Sequence, residues 1–231
     1  MEHVLIITGG HLNMEFAENY RKTLSIDKVF AVDKGLEYAD QMGIIPDYLI
    51  GDFDTVDSKL IVQYERRIAE HQIATILERH PVKKDASDTE LALHMAMSQG
   101  AKKITILGGT GSRLDHVFAN IGLLLQAERE DIELYIVDEC NRIRLLSEKG
   151  VRDVEVHCKE QHGRYISLIP LTERVEGVML EGVMYPLDNA SIYAGSSLTV
   201  SNQIVEKKMR VTLEKGKMLL IESSDSWDTH K

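Results

Sequence analysis

Short apolar, β-branched runs recur along the chain up to about residue 148, and helical patterns fill the gaps between them. The runs occupy residues 4–8, 29–32, 48–50, 73–77, 104–107 and 132–137. Between them Leu91 and Met95 recur at helical spacing, as do Val117, Ile121 and Leu124. A continuous apolar strand needs cover on both faces, and intervening helices supply it, so this alternation predicts an α/β domain with a mostly parallel sheet. Ser87 followed by Glu90 makes a capping box and predicts a helix start there, with Asp88 in the first turn.

After about Gly150 the pattern changes to short strands without a long helix, at 154–157, 165–170, 175–180, 198–201, 209–213 and 218–221. Gly177, Gly182, Gly195 and Gly216 fall at turn or bulge positions, and Glu214-Lys215-Gly216-Lys217 reads as a hairpin loop. The expected architecture is an α/β N-terminal domain over 1–148 and a C-terminal all-β sandwich or barrel-like domain over 149–231. A length of 231 residues exceeds the common domain size of about 100–150 and favours two domains.

The net charge of −10 argues against a nucleic-acid binder, whose affinity would come from clustered Lys and Arg. An acidic chain that handles nucleotides needs a divalent cation, because carboxylates beside a triphosphate otherwise repel it. Cys140 and Cys158 are the only cysteines, too few for a disulfide framework or a metal-binding Cys motif, and the expectation is a reducing cytoplasm. The apolar run at 4–7 is too short for a signal core, and no stretch approaches the roughly 20 apolar residues of a membrane span.

Chemistry-bearing residues gather in three segments, each placed after an apolar run: Gly51-Asp52-Phe53-Asp54-Thr55, Asp85-Ala86-Ser87-Asp88, and Gly108-Gly109-Thr110-Gly111-Ser112-Arg113-Leu114-Asp115-His116. In an open α/β sheet, ligands bind outside the carboxyl ends of the strands, so these segments and Asp33 emerge at the binding edge. Asp52 and Asp54, in extended backbone, face one side while Phe53 turns into packing, an arrangement able to hold Mg²⁺. A single Asp at such a place is also an ordinary turn or cap residue, and Asp88 suits a helix dipole. Gly108, Gly109 and Gly111 permit close backbone approach to an anion, and Arg113 adds a fork of donors. The segment is neither a P-loop nor a dinucleotide-binding glycine motif. His116 suits a phosphate contact or a structural place at a helix start. Farther on, Tyr185 and the run ending Ser201-Asn202 offer an aromatic face with hydroxyl and amide groups, or else a core tyrosine beside a polar loop. Trp227, in a polar tail, reads as a surface or docking residue.

Taken together and in order, Val32-Asp33-Lys34-Gly35, Ile45-Pro46-Asp47 running into Gly51-Asp52-Phe53-Asp54-Thr55, Lys84-Asp85-Ala86-Ser87-Asp88, Gly109-Thr110-Gly111-Ser112-Arg113-Leu114-Asp115-His116 and Ser201-Asn202 resemble the thiamine pyrophosphokinase family over nearly the whole chain. The resemblance implies transfer of a pyrophosphoryl group from ATP to thiamine with Mg²⁺, in a homodimer whose active site lies at the subunit interface. It implies Asp52, Asp54, Asp85, Asp88 and Asp115 as catalytic carboxylates, with Asp52, Asp54, Asp85 and Asp115 on the metal. It places Asp33, Lys34, Gly35, Gly109, Thr110, Gly111, Arg113 and His116 around the nucleotide, and Tyr185, Ser201 and Asn202 around thiamine. Thr55 stands where the family commonly has Ser, Lys34 where Gly is frequent, and Tyr185 where many members place Trp. Two rivals remain at this point: a pyrophosphokinase acting on another hydroxymethyl acceptor such as a pterin, and a non-catalytic nucleotide or thiamine sensor.

Overall fold

The computed structural model describes residues 2–80 and 85–225, in two compact units, one ending at Glu139 and the other beginning at Cys140. The first unit alternates strand and helix as expected: β1 (His3–Ile7), α1 (Met14–Lys22), β2 (Lys28–Val32), α2 (Gly35–Gln41), β3 (Tyr48–Gly51), α3 (Ser58–Ala69), β4 (Ile76–Arg79), α4 (Asp88–Ser98), β5 (Lys103–Leu107), α5 (Leu114–Arg129) and β6 (Glu133–Val137). The strands lie in the order β4-β3-β2-β1-β5-β6, and every neighbouring pair is parallel. Central β1 is buried along its whole length, whereas edge strand β4 leaves Ile76 and Arg79 exposed. Each fully buried Leu or Ile of β1 contributes about 1.5–3 kcal/mol, so the centre of the sheet anchors the unit.

Helix starts follow local chemistry. Asn13 accepts from the Phe16 N–H at 3.0 Å, Asp57 from Lys59 at 2.8 Å and Ser87 from Glu90 at 3.2 Å. The Glu90 carboxylate accepts from Gln126 on α5 at 2.8 Å, so this side chain ties α4 to α5. Tyr64 of α3 is buried and donates to Asp40 at the end of α2, at 3.1 Å; burial first, then the Asp40 charge, push its phenol up to about 12. At the amino edge of the sheet His3 is buried, its ring between the Ser25 carbonyl at 3.1 Å and the Thr105 hydroxyl at 2.9 Å.

The second unit carries β7 (Asn141–Ser147), β8 (Asp153–His157), β9 (Tyr165–Pro170), β10 (Arg174–Glu181), β11 (Leu187–Tyr193), β12 (Lys208–Thr212) and β13 (Lys217–Ser223). β13 pairs antiparallel with both β7 and β9, and a second antiparallel sheet runs β11-β10-β12-β8. Their inner faces share one core that includes Leu146, Val156, Leu168, Val178, Met209 and Leu220, which makes a sandwich. β8 shows the alternation cleanly: Val154 and Val156 point inward, while Asp153 and Glu155 meet Arg210 and Lys208 outside.

Four local expectations change. The division falls at Glu139 rather than after residue 148, because β7 pairs with β13 along its full length. The fourth strand begins at Ile76, where it meets Tyr48 of β3, rather than at residue 73. Residues 198–201 form no strand: Ser201 has φ 59, and the backbone bonds to β9 run from the Leu168 N–H to the Thr199 carbonyl and, just beyond the segment, between Ile166 and Asn202. The loop 214–217 joins strands of different sheets, since β12 pairs with β10 and β8 while β13 pairs with β7 and β9, so it closes no hairpin.

Candidate active site

The strand order reverses between β1 and β5: the chain leaves β1 toward β2, β3 and β4 on one side, then returns to β5 and β6 on the other. At such a switch point the loops after the two strands diverge and open a crevice. Here those loops are stitched together below the opening. Thr8 N–H donates to Leu107 at 2.9 Å, Gly10 N–H to Gly108 at 2.9 Å and His11 N–H to Thr110 at 2.9 Å. A Cβ at Gly10 would lie 2.2 Å from both the Gly108 and Thr110 carbonyl oxygens, so only glycine fits. Asn120 of α5 donates to the Gly109 carbonyl at 2.7 Å and steadies the other side. The Thr8 hydroxyl meets that of Thr89 at 3.0 Å, which seats the start of α4 against the end of β1.

Because all six strands of this unit are parallel, Asp33, Asp52, Asp54, Asp85, Asp88 and the loop 108–116 all follow strands at the carboxyl edge. Asp33 has φ 46, and its carboxylate accepts from the Phe53 N–H at 3.3 Å. Gly51 makes room for it: a Cβ there would lie 1.8 Å from Asp33 Oδ1. Asp52 accepts from the Asp54 N–H at 3.1 Å, and Phe53 between them is buried with φ 62. The segment is therefore an Asx turn rather than the extended strand expected from the spacing, although Phe53 does turn into packing. Arg79, which sequence reading did not single out, braces that turn: it lies 5.4 Å from the Phe53 ring centre, donates to the Asp52 carbonyl at 3.4 Å and pairs with Glu65 at 2.5 Å.

Asp88 is the first residue of α4, capped by Ser87, and exposed Asp85 precedes it; Lys84 of the same motif lies outside the described residues, as does Trp227. Arg113 and Asp115, both exposed, form a two-bond ion pair at 2.6 and 3.2 Å. The guanidinium holds the Asp115 carboxyl below its usual range. An exposed pair of this kind exchanges readily for a phosphate oxygen. Exposed His116 follows in the same helical turn, exposed Lys34 precedes α2 without a capping bond, and buried Gly35 packs where a Cβ would strike the Ile7 carbonyl at 1.9 Å.

β3 and β5 lie three strand spacings apart, about 14 Å at ~4.8 Å per spacing. Accordingly, among the described residues no three acidic, His or Cys side chains converge closely enough to hold a metal ion by themselves. The Asp52 carboxylate is turned to the Asp54 backbone N–H, and Asp115 stands with Arg113. The donor set still fits Mg²⁺, which takes one or two carboxylates and completes its shell with water and phosphate oxygens.

In the second unit Tyr185 is 65% exposed in the loop before β11, so it is no core tyrosine. The Asn202 side chain is buried and clamps that residue's backbone, accepting from Tyr185 N–H at 3.1 Å and donating to the Tyr185 carbonyl at 2.8 Å. Ser201, exposed and left-handed, donates its N–H to the Ser167 hydroxyl at 3.0 Å. The structure thus brings Tyr185 and Asn202 together as ring and support.

A parallel sheet with a switch point between β1 and β5, followed by a β-sandwich that presents an exposed aromatic side chain, defines a two-unit protein that joins an α/β unit to an antiparallel β unit. Residues 21–136 match the family description "Thiamin pyrophosphokinase, catalytic domain", and residues 153–218 match "Thiamin pyrophosphokinase, vitamin B1 binding domain". The chain is 36% identical over 194 residues to a thiamine pyrophosphokinase of Bacillus subtilis, covering 84% of this chain and 86% of the relative. The crystal structure of a Bacillus subtilis thiamine pyrophosphokinase superposes with a TM-score of 0.83 at 29% identity, covering 97% of this chain and 100% of that one. That of Geobacillus thermodenitrificans gives 0.82 at 30%, covering 97% and 98%. The chain belongs to the thiamine pyrophosphokinase family.

Proposed function

We propose that this protein transfers the pyrophosphoryl group of ATP to the hydroxyethyl oxygen of thiamine, giving thiamine diphosphate and AMP. One observation carries the reading: the glycine-rich loop 108–111 and the carboxylates of Asp33, Asp52 and Asp115 share the carboxyl edge of one parallel sheet, in a chain whose other unit matches a vitamin B1 binding domain. The loop 108–111 and Arg113 suit the phosphates, with Asp33, Lys34, Gly35, Thr110 and His116 nearby along the same edge. The exposed Tyr185 ring, carried on a backbone that Asn202 clamps and accompanied by Ser201, suits a flat heteroaromatic substrate.

Phosphoryl-type transfer is largely positioning and charge stabilisation. The thiamine hydroxyl oxygen attacks the β-phosphorus in line, the bond from that phosphorus to the bridging oxygen of AMP breaks, and AMP leaves with the electron pair. Asp85 or Asp88 orients the hydroxyl and receives its proton. Asp52, Asp54, Asp85 and Asp115 are the candidate donors, of which one or two at a time would hold Mg²⁺ together with phosphate oxygens and water; when bound it would neutralise phosphate charge. A homodimer belongs to the same proposal, supported by the exposed Leu198, Val200 and Val205 of the second unit. A cytoplasmic setting fits the use of just two cysteines, Cys140 and Cys158, and no helix of the described residues is long and apolar enough to cross a membrane.

Incubation with ATP, Mg²⁺ and either thiamine or a pterin alcohol, followed by mass spectrometry, tests acceptor and transferred group together. Thiamine diphosphate with stoichiometric AMP is expected; product from the pterin alone refutes the assignment. Asp54→Asn, at an exposed position, should leave the fold intact and remove most turnover, and unchanged steady-state activity would reject its role.

A further inference from the structure

We infer that His11, steadied by Glu139, is a phosphate-binding residue of the crevice between the β1 and β5 loops. The inference rests on the nucleotide reading above and adds to it a residue from outside the family-like motifs. His11 follows Gly9 and Gly10 directly out of β1, and its N–H is bonded to the Thr110 carbonyl at 2.9 Å. A Cβ on Gly111 would stand 3.2 Å from the His11 nitrogen, so His11 lies against the glycine loop that the proposed function assigns to the phosphates.

The side chain has one tethered end and one open end. Its Nε2 lies 3.1 Å from Glu139 Oε1, with the imidazole 68% exposed and the carboxylate only 16% exposed. An ionised carboxylate can only accept, so Nε2 carries the hydrogen and the opposite edge, Nδ1, is left for a ligand. Glu139 Oε2 is buried without a hydrogen-bond partner among the described residues. A carboxylate placed this way leaves charge uncompensated unless a cation stands beside it, and His11 is its ion-pair partner in the structure. In the nucleotide complex both ring nitrogens donate, Nε2 to Glu139 and Nδ1 to a phosphate oxygen. This supplies positive charge at an edge otherwise rich in carboxylates. His11 is then a binding residue and Glu139 a positioning residue.

Steady-state kinetics of His11→Ala, Glu139→Ala and the double variant, with inorganic tripolyphosphate as a competitive inhibitor, tests the assignment. His11→Ala should raise KM for ATP about tenfold, the worth of one charge-assisted hydrogen bond, and weaken tripolyphosphate inhibition equally. KM for thiamine should stay within about twofold, because the contact is made to the other substrate. Glu139→Ala should raise KM for ATP in the wild-type background and add nothing to His11→Ala. Glu139→Gln, which still accepts from Nε2, should recover most of the affinity. Weaker ATP binding with unchanged tripolyphosphate inhibition would place His11 on the nucleoside and overturn the proposal. So would a Glu139→Ala effect that persists in full without His11. Direct titration of ATP binding separates this from the activity: a wild-type protein that binds ATP yet forms no AMP refutes the catalytic reading and leaves the His11 comparison readable.

Discussion

Substituting Gly10 by Ala puts the construction of the crevice to a quantitative test. The added Cβ would lie 2.2 Å from two carbonyl oxygens, those of Gly108 and Thr110. Both are backbone atoms, so no side chain can swing aside, and the β1 and β5 loops must separate. Separation strains or breaks the bonds from Gly10 to Gly108 and from His11 to Thr110, each 2.9 Å long. Two such bonds at about 1 kcal/mol net, plus an overpacking cost of about 1–2 kcal/mol, give a loss near 3 kcal/mol. For a protein of this size each kcal/mol lowers the melting temperature by about 2–4 °C, so a fall of roughly 10 °C is expected.

Gly43→Ala supplies the control. Gly43 has φ +66, and a Cβ there meets nothing within 4 Å, so its cost is conformational alone, about 1 kcal/mol. Thermal unfolding of both variants is then compared with their KM for ATP. Gly10→Ala should melt well below Gly43→Ala and lose ATP affinity at least tenfold, while Gly43→Ala binds ATP normally. Equal melting temperatures, or unimpaired ATP binding by Gly10→Ala, would refute the argument that loop closure at the switch point builds the site.

Other parts of the molecule yield separate tests. Glu222, 1% exposed, holds Arg142 through two bonds at 2.7 and 2.6 Å and the His162 N–H at 2.9 Å. Glu222→Ala should cost about 3 kcal/mol in urea unfolding, with part recovered by pairing Glu222→Leu with Arg142→Met; no loss in the single variant would contradict a structural pair. His3 resists protonation through burial first and the Lys103 charge second, whereas an unfolded histidine takes up its proton near pH 6.5. The unfolded state then binds more protons, so stability should decline as pH falls below about 6.5. His3→Gln should flatten that decline, and an unchanged slope would assign it to other groups. Tyr185→Ala should raise KM for thiamine about tenfold with little change for ATP, and Tyr185→Trp should retain binding; a shift confined to ATP would remove the ring from the acceptor site.

How far the sequence reveals the fold depends on where each segment gets its partners. β1, β2 and β5 are legible because both faces are buried, which demands continuous apolar residues. β11 escapes notice because it is an edge strand, and Asp188 and Asn189 tolerate solvent there. Residues 198–201 mislead in the opposite sense: Leu198 and Val200 alternate like a strand, yet both are exposed, and the left-handed Ser201 ends any ladder. The same distinction governs the site. That Asp33, Asp52, Asp85 and Asp115 follow strands at one edge is legible, because parallel strands deliver all their following loops to the same side. Which of them meet is not, because the Asp52 turn depends on the left-handed Phe53, and that conformation depends on Asp33 reaching across from β2 to bond its N–H. Gly9, Gly10 and His11 carry no motif at all. Their placement follows from β1 lying beside β5, a strand order that hydrophobic period does not encode, so the closure of these two loops becomes visible only when residues nearly a hundred positions apart are seen to share hydrogen bonds.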